Sequence, residues 1–306
     1  MEPHDPEDKP VVTLRPLPSS VANSRIPAWN LSGLARRGCP VCGADRAEPL
    51  CKRPDQLLVG RCGACGMAYL PEIPAPADLD RLYADYAQYK GMTRRKLKWW
   101  PTRQLWWANP NIMILEHTGG LRGQKVCDMG CAEGSFLLLA RRRGAEVFGV
   151  ELDQEAIRAL SERKIPAAAS LPGDRQFDVL TAFQVIEHLP DPAAWVRSAR
   201  AAVGLDGRLL LALPNGGEID RVGPTWVGFR QDLEHLNYFS IATLSRLLAD
   251  NGFYVEQYWE TLQAWLHRTP PPGLLRQTFR YIMGRMFNHP FYIDGRQVLT
   301  VLARKV

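Results

Sequence analysis

The 306-residue sequence has no run approaching the ~18 to 20 apolar residues that a membrane-spanning helix needs. Its first residues, MEPHDPEDKP, are acidic and proline-rich, without the basic start and apolar segment of a secretory signal. A cytoplasmic protein is the expectation. Cysteine is scarce and unevenly placed: of seven, five fall between Cys39 and Cys65 and two at Cys127 and Cys131, a clustering that argues against a disulfide framework. No internal repeat is visible. What is present is the 46% apolar and 23% charged composition of a globular protein, with length enough for two domains or one decorated domain. The net charge of +6 permits a polyanionic partner, although a dispersed surplus is usually a solvated surface.

One stretch organises the rest. Lys125-Val126-Cys127-Asp128-Met129 runs apolar and β-branched to an acid, turns through Gly130-Cys131-Ala132-Glu133-Gly134, and enters the helical pattern Ser135-Phe136-Leu137-Leu138-Leu139-Ala140. This is the strand, glycine turn and helix of a nucleotide-binding βαβ unit. Gly130, Ala132 and Gly134 let backbone approach a ligand closely. About 20 residues on, Val147-Phe148-Gly149-Val150 ends in Glu151, whose carboxylate suits the two hydroxyls of a ribose. A nucleoside derivative is expected. The dinucleotide spacing G-x-G-x-x-G is absent, which weakens a nicotinamide reading; an ordinary βα turn is the bland alternative.

Cys39-Pro40-Val41-Cys42-Gly43 and Cys62-Gly63-Ala64-Cys65-Gly66 form two C-x2-C-G knuckles with 19 residues between Cys42 and Cys62. That spacing fits a tetrahedral zinc site of four thiolates, closed and therefore structural. Free thiols or a redox pair are the other readings. Cys51 is expected to be a small core residue.

The turn at Asp128 to Gly134 resembles that of the class I S-adenosylmethionine (SAM)-dependent methyltransferases, with Ala132 where glycine is commoner. Gln184-Val185-Ile186-Glu187-His188-Leu189-Pro190-Asp191-Pro192 resembles the fourth-strand segment of one large subfamily, and His235-Leu236-Asn237-Tyr238-Phe239-Ser240 again resembles it. The resemblance covers roughly residues 110 to 306 and implies a Rossmann-like seven-stranded α/β sheet with helices on both faces, preceded by the small zinc ribbon. It implies cofactor contacts from Asp128, Gly130, Cys131, Ala132, Gly134 and Phe136. It adds Glu151 and Leu152 after the second strand, Ser170 and Leu171 in the loop beside the adenine, and Phe183 and Gln184 at the end of the fourth strand. No acid stands in that adenine loop, where many relatives carry one.

A carboxylate and an imidazole at a strand's carboxyl end lie at the ligand crevice of an open sheet, and histidine is suited to take a proton near neutral pH. The candidate bases are therefore His188 and His235, with Glu187 and Tyr238 in support, against the bland reading that they only brace loops.

In chain order the reading is an extended or disordered arm over 1–37, the ribbon over 38–72, a helical linker covering the cofactor cleft over 73–124, and the methyltransferase domain over 125–306 with a substrate insertion at 216–240. A third strand is expected near Ile165 to Ala169, a fourth over Phe177 to Phe183, a fifth over Gly207 to Leu213, a sixth over Phe253 to Trp259 and a closing edge strand over Gln297 to Arg304. Ser240 is placed to cap a helix over Ala242 to Asn251. The basic, tryptophan-rich segment 96–107 suits core packing first, and otherwise a substrate or a membrane surface; Leu274 to Phe287 is an amphipathic helix after Pro270-Pro271-Pro272.

Bacterial relatives with such a zinc module imply a nucleotide sugar, surface glycan or small metabolite as methyl acceptor, with SAM as cofactor and Zn2+ as structural metal. Two rivals stand beside this: an RNA methyltransferase, and a scaffold that keeps the fold without activity. Oligomeric state is not readable from the sequence.

Overall fold

The computed structural model describes residues 11–17, 26–84, 109–261 and 296–306. The tryptophan-rich segment 96–107, the tyrosines at 86 and 89, the proline break at 270–272 and the helix expected over 274–287 lie outside the described residues.

Short antiparallel strands come first: β1 (Ala35–Arg36), β2 (Ala47–Lys52), β3 (Leu58–Cys62), β4 (Ala68–Tyr69) and β5 (Glu72–Ile73). β2, β3 and β4 form a meander, and β1 pairs with β5. The described part of the arm is docked and, apart from a 3-10 turn over Leu31–Gly33 and the short β1, runs without regular structure. Thr13 bridges Lys52 in parallel, the Leu14 N–H donates to the Lys52 carbonyl at 2.8 Å, and the Leu14 side chain is buried. A helix over Pro76–Ala84 follows, entered at a proline whose missing N–H costs nothing in the first turn.

The helix Pro110–His117 is capped by the Asn109 side chain, which accepts from the Asn111 and Ile112 N–H groups at 3.0 and 3.1 Å. The large sheet begins after it with β6 (Lys125–Met129), β7 (Glu146–Val150), β8 (Ala167–Ala168), β9 (Phe177–Phe183) and β10 (Val203–Pro214). β11 (Asn237–Tyr238) leaves it to join the ribbon, and β12 (Phe253–Thr261) and β13 (Val298–Lys305) close it. The order across the seven strands is β12-β13-β10-β9-β6-β7-β8, with β13 antiparallel to both neighbours and the central pairs parallel. This is the expected Rossmann-like α/β sheet. The third strand is shorter than expected, two residues, because Pro166 has no N–H to offer the ladder and β8 lies at the edge. The fifth strand starts earlier, at Val203, with an irregular register before Arg208.

The central strands are covered on both faces, so their residues are apolar without alternation. Cys127 and Met129 of β6 pack with Val196, Ala199, Leu244 and Leu247 of the helices Pro192–Ala202 and Ile241–Asp250 on one face. Val126 packs with Ile112, Leu115, Phe136 and Leu160 on the other. Ser240 caps the helix Ile241–Asp250 as expected, in a box with Thr243.

A third cluster joins the ribbon to the insertion. Cys51, Leu57, Val59, Leu70 and Ile73 of the ribbon share one core with Ile219, Trp226, Phe229, Leu236 and Tyr238 of the insertion. β11 adds to the edge of β4, with Asn237 opposite Tyr69 and Tyr238 opposite Ala68. Ribbon and insertion are thus one packed unit over the carboxyl ends of β9 and β10. No described helix is long and apolar enough to cross a membrane.

Candidate functional site

The turn after β6 has the backbone its sequence demands. Gly130 and Gly134 adopt φ of +74° and +75°, where a side chain is strained. A Cβ on Gly130 would also stand 2.7 Å from Val185 Cγ2, and one on Gly134 2.3 Å from Leu160 Cδ2. Ala132 holds a φ of +45° without being glycine, the kind of local strain that gathers at ligand sites. The Gly130 and Cys131 N–H groups donate to the Val150 carbonyl at 2.8 and 3.1 Å, tying the turn to the end of β7.

Glu151 follows directly. One of its oxygens accepts from Ala132 N–H at 2.8 Å, the other from Leu152 and Asp153 N–H at 2.8 and 3.1 Å. A carboxylate offers about four acceptor sites, so it can still take a hydroxyl, and a second hydroxyl would displace a backbone contact. Asp128 is buried and accepts from Thr181 Oγ1 at 2.7 Å. Burial pushes its carboxyl up to about 7, against the hydrogen bond from Thr181, which lowers it.

The other expected cofactor residues ring this turn. Phe136 is buried and meets Phe183 edge to face at 5.0 Å. Cys131 is buried, whereas Leu152 is 74% exposed at the rim. Ser170 is exposed and Leu171 leans on the core beneath it. Gln184, at φ +57°, has its N–H and its side-chain amide on the Ala212 carbonyl, at 2.8 and 3.4 Å. A strained turn, an anchored carboxylate and an apolar shelf fit an adenosyl group.

The acceptor-side candidates sit across the crevice. Glu187 and His188 lie in the 3-10 turn Ile186–His188, and His235 precedes β11. The two imidazoles, 47 positions apart, stand edge to face with centroids 4.6 Å apart. One ligand-type atom from each of Glu187, His188 and His235 lies within 4.8 Å of the others, and Glu187 and His235 are 1% and 3% exposed. Leu236 N–H donates to the Glu187 carbonyl at 2.8 Å, and Asn237 Nδ2 to the Leu189 carbonyl at 2.8 Å, which staples the two segments together. Tyr238 is placed differently from its partners. Its hydroxyl receives from Arg53 Nη1 at 2.8 Å and its ring packs on Trp226 and Phe229, so it braces the loop from behind.

Sequence reading missed two arginines. Arg53 is fully buried, bonded to Asp55, to Tyr238 and to the carbonyls of His235 and Leu233. Burial alone would lower its guanidinium; the oxygens of Tyr238 and Asp55 raise it on balance. Arg37 donates to the carbonyls of Leu70, Pro190 and Leu236 at 2.8 to 2.9 Å, and burial lowers it to about 10. Neither has a local signal, since every partner but Asp55 is distant in sequence.

The cysteines converge as the knuckles predict. Cys39 and Cys65 Sγ are 3.5 Å apart, Cys42 and Cys62 Sγ 3.6 Å, and all four lie within 4.8 Å of one another. A tetrahedron of ~2.3 Å zinc–sulfur bonds has edges of about 3.8 Å, so the set fits that metal. Each knuckle closes on its glycine, with Gly43 N–H to Cys39 O at 2.8 Å and Gly66 N–H to Cys62 O at 2.9 Å. Burial pushes the Cys39 thiol up, so a cation is what would stabilise the thiolates together. Cys51 is fully buried and apart from them, in the shared core.

Comparison with known proteins identifies the family. The sequence model of a family described as a methyltransferase domain matches residues 92–258, more than half of the chain. A ubiquinone biosynthesis O-methyltransferase of Acinetobacter baylyi is 32% identical over 139 residues, covering 39% of this chain and 58% of the relative. Another of that name, from Pseudomonas aeruginosa, is 30% identical over 152 residues, covering 44% and 63%. The chain therefore spans about three-fifths of the length of these relatives. Among solved structures, a putative methyltransferase from Bacillus halodurans aligns at TM-score 0.47 and 16% identity, covering 65% of this chain and 99% of that one. A SAM-dependent methyltransferase from Mesorhizobium loti aligns at 0.43 and 17%, covering 68% and 97%. With the family matched across the glycine turn and the Glu-His segment, and the sheet order as described, the chain belongs to the methyltransferase-domain family, and its large sheet is that of the class I SAM-dependent methyltransferases.

Proposed function

We propose that this protein transfers the methyl group of SAM to a hydroxyl oxygen of a small-molecule or glycan acceptor. The observation that carries the reading is the contact of the two halves of the crevice. Gly130 in the cofactor turn lies against Val185, which leads directly into Glu187 and His188. A ligand lying on the turn thereby has its reactive end toward the paired imidazoles.

The bound cofactor supplies an already activated methyl on a sulfonium, whose leaving group is neutral. The chain's part is alignment and removal of a proton from the acceptor. Glu151 and the backbone of Gly130 to Gly134 orient the adenosyl group, and the Phe136–Phe183 pair walls the crevice. Glu187, His188 and His235 lower the cost of taking the acceptor's proton. The ribbon–insertion unit covers the crevice and excludes water. Oxygen as the target is supported by the relatives, whose printed name is O-methyltransferase. The four cysteines hold Zn2+ as a structural metal.

Incubation with methyl-labelled SAM and a cell extract tests the acceptor class. Label is expected in solvent-extractable small molecules or glycan; ribonuclease-sensitive label in macromolecules would overturn it in favour of RNA.

A further inference from the structure

The crevice lies at the carboxyl ends of the central strands, and a separate hollow lies at their amino ends. Lys125 opens β6, Asp178 stands at the start of β9, and Arg208 begins the regular register of β10 with β9. Asp178 and Arg208 line a cavity of about 260 Å³ there, together with Gly119, Leu205 and Asp206. We infer that this cavity binds a small zwitterion, a molecule of amino-acid size whose carboxylate meets Arg208 and whose cationic group faces Asp178 and Asp206. The site does not depend on the methyl-transfer reading, because cavity and crevice sit at opposite ends of the strands.

Arg208 supplies the first reason. It is 5% exposed. Its Nη2 donates to the Gly120 carbonyl at 3.1 Å and to Gln124 Oε1 at 3.4 Å, both neutral acceptors. Nη1 has no hydrogen-bond acceptor among the described residues, and among them Arg208 forms no ion pair. Its register partner on β13 is another cation, Arg304, which is already engaged with Glu256 at 2.6 Å and donates to the Asp206 carbonyl at 2.9 Å. Burial and Arg304 disfavour the charged guanidinium, and Glu256 and Asp178 offset them only in part. A buried charge is costly unless paired, and a guanidinium meets a carboxylate through two parallel hydrogen bonds. The facing wall is shaped round this group: a Cβ on Gly119 would stand 2.8 Å from Arg208 Nη1.

The rim decides which anion fits. Asp178 and Asp206 are exposed and form no ion pair among the described residues. Asp178 is fixed in place by the Lys125 N–H, which donates to it at 2.7 Å. Two carboxylates at the mouth repel a phosphate or any other polyanion and attract a cationic group carried by the same molecule as the carboxylate. Leu205, 90% exposed beside them, offers the ligand's carbon chain an apolar cover. The volume lies below the ~300 to 1,000 Å³ of pockets for drug-sized ligands, so the molecule is small.

The test titrates the full-length protein with glycine, β-alanine and γ-aminobutyrate, followed by ligand-observed saturation-transfer NMR. Each step adds one methylene between the charges, so the best binder measures the gap between Arg208 and the rim. Saturable binding of at least one member is expected. The same chains without the amine, acetate, propionate and butyrate, are expected to bind at least about tenfold more weakly. Asp206→Asn should bring the best amino acid down to the level of its plain carboxylate. Asparagine tolerates the φ of +57° at this exposed position, so the variant keeps the fold. Arg208→Gln is expected to abolish binding of every member; should that variant fail to fold, Asp206→Asn still decides. The proposal is overturned if the wild type binds no member saturably, if a plain carboxylate binds as tightly as its amino acid, or if Asp206→Asn binds as the wild type does. Inorganic phosphate binding more tightly than every member would also overturn it.

Discussion

Arg53 of the ribbon donates from Nη1 to the carbonyl oxygen of His235, 182 positions away, at 2.6 Å. A guanidinium with no solvent exposure thus holds the backbone beneath a candidate active-site imidazole. Removing one member of a buried charge network leaves the others unpaired, here Asp55. Arg53→Met is expected to destabilise the protein by about 3 to 5 kcal/mol. Arg53→Lys should recover little, because an ammonium cannot reproduce the planar fork that meets Asp55 through two nitrogens. Urea denaturation of the three proteins measures both effects.

Removal of the zinc proposed for Cys39, Cys42, Cys62 and Cys65 should reach the crevice as well as the ribbon. The knuckles anchor β2 to β4, and β4 carries β11, next to His235. Cys62→Ser is expected to lose the metal and to lower the melting temperature. It should also raise protease sensitivity in the insertion at 216–240, whose core residues would be exposed. Metal analysis with limited proteolysis checks this; an insertion as resistant as in the wild type would show that the two units do not depend on each other.

Glu151→Ala removes the carboxylate that faces the cofactor turn and its three backbone hydrogen bonds. Hydrogen bonds to charged groups contribute about 1.5 to 3 kcal/mol, so S-adenosylhomocysteine binding should weaken by roughly ten- to a hundredfold. Calorimetric titration gives the value directly, and unchanged affinity would remove Glu151 from the site.

Gly134→Ala meets two obstacles, a φ of +75° and Leu160 Cδ2 at 2.3 Å from the new methyl. A loss of about 1 to 3 kcal/mol is expected, most of it retained after Leu160→Ala relieves only the clash. Thermal denaturation of the single and double variants separates strain from crowding.

Asp128 gives stability a pH dependence with a definite sign. Burial raises its folded value from 3.8 to about 7. Between these values the folded protein keeps a proton that the unfolded chain gives up, so the contribution is full below 3.8 and is lost as pH rises through about 7. Asp128→Asn cannot titrate, so its stability relative to the wild type should increase from pH 5 to pH 8. Melting curves at intermediate pH values test this; parallel profiles would refute it.

The parts legible in the sequence are those whose physics is local. Asp128 to Gly134 announces its turn because positive φ and close approach restrict which residues fit, and Cys39, Cys42, Cys62 and Cys65 announce their convergence because thiolate spacing is set within each knuckle. The parallel strands showed as apolar runs because both faces are covered. β8 came out short because an edge strand after Pro166 has little pairing to hold it.

Sequence by itself therefore determined the sheet's class, the cofactor turn and the cysteine set, each written in neighbouring residues. Tertiary structure alone decided that His188 and His235 meet, that Arg53 and Arg37 hold the loop between them, and that Tyr238 braces the loop from behind. It also decided that ribbon and insertion share one core. These depend on contacts between residues 47 to about 200 positions apart. Such contacts leave no periodicity or spacing in the chain, because burial and backbone pairing at long range are satisfied by the folded whole and not by any one segment.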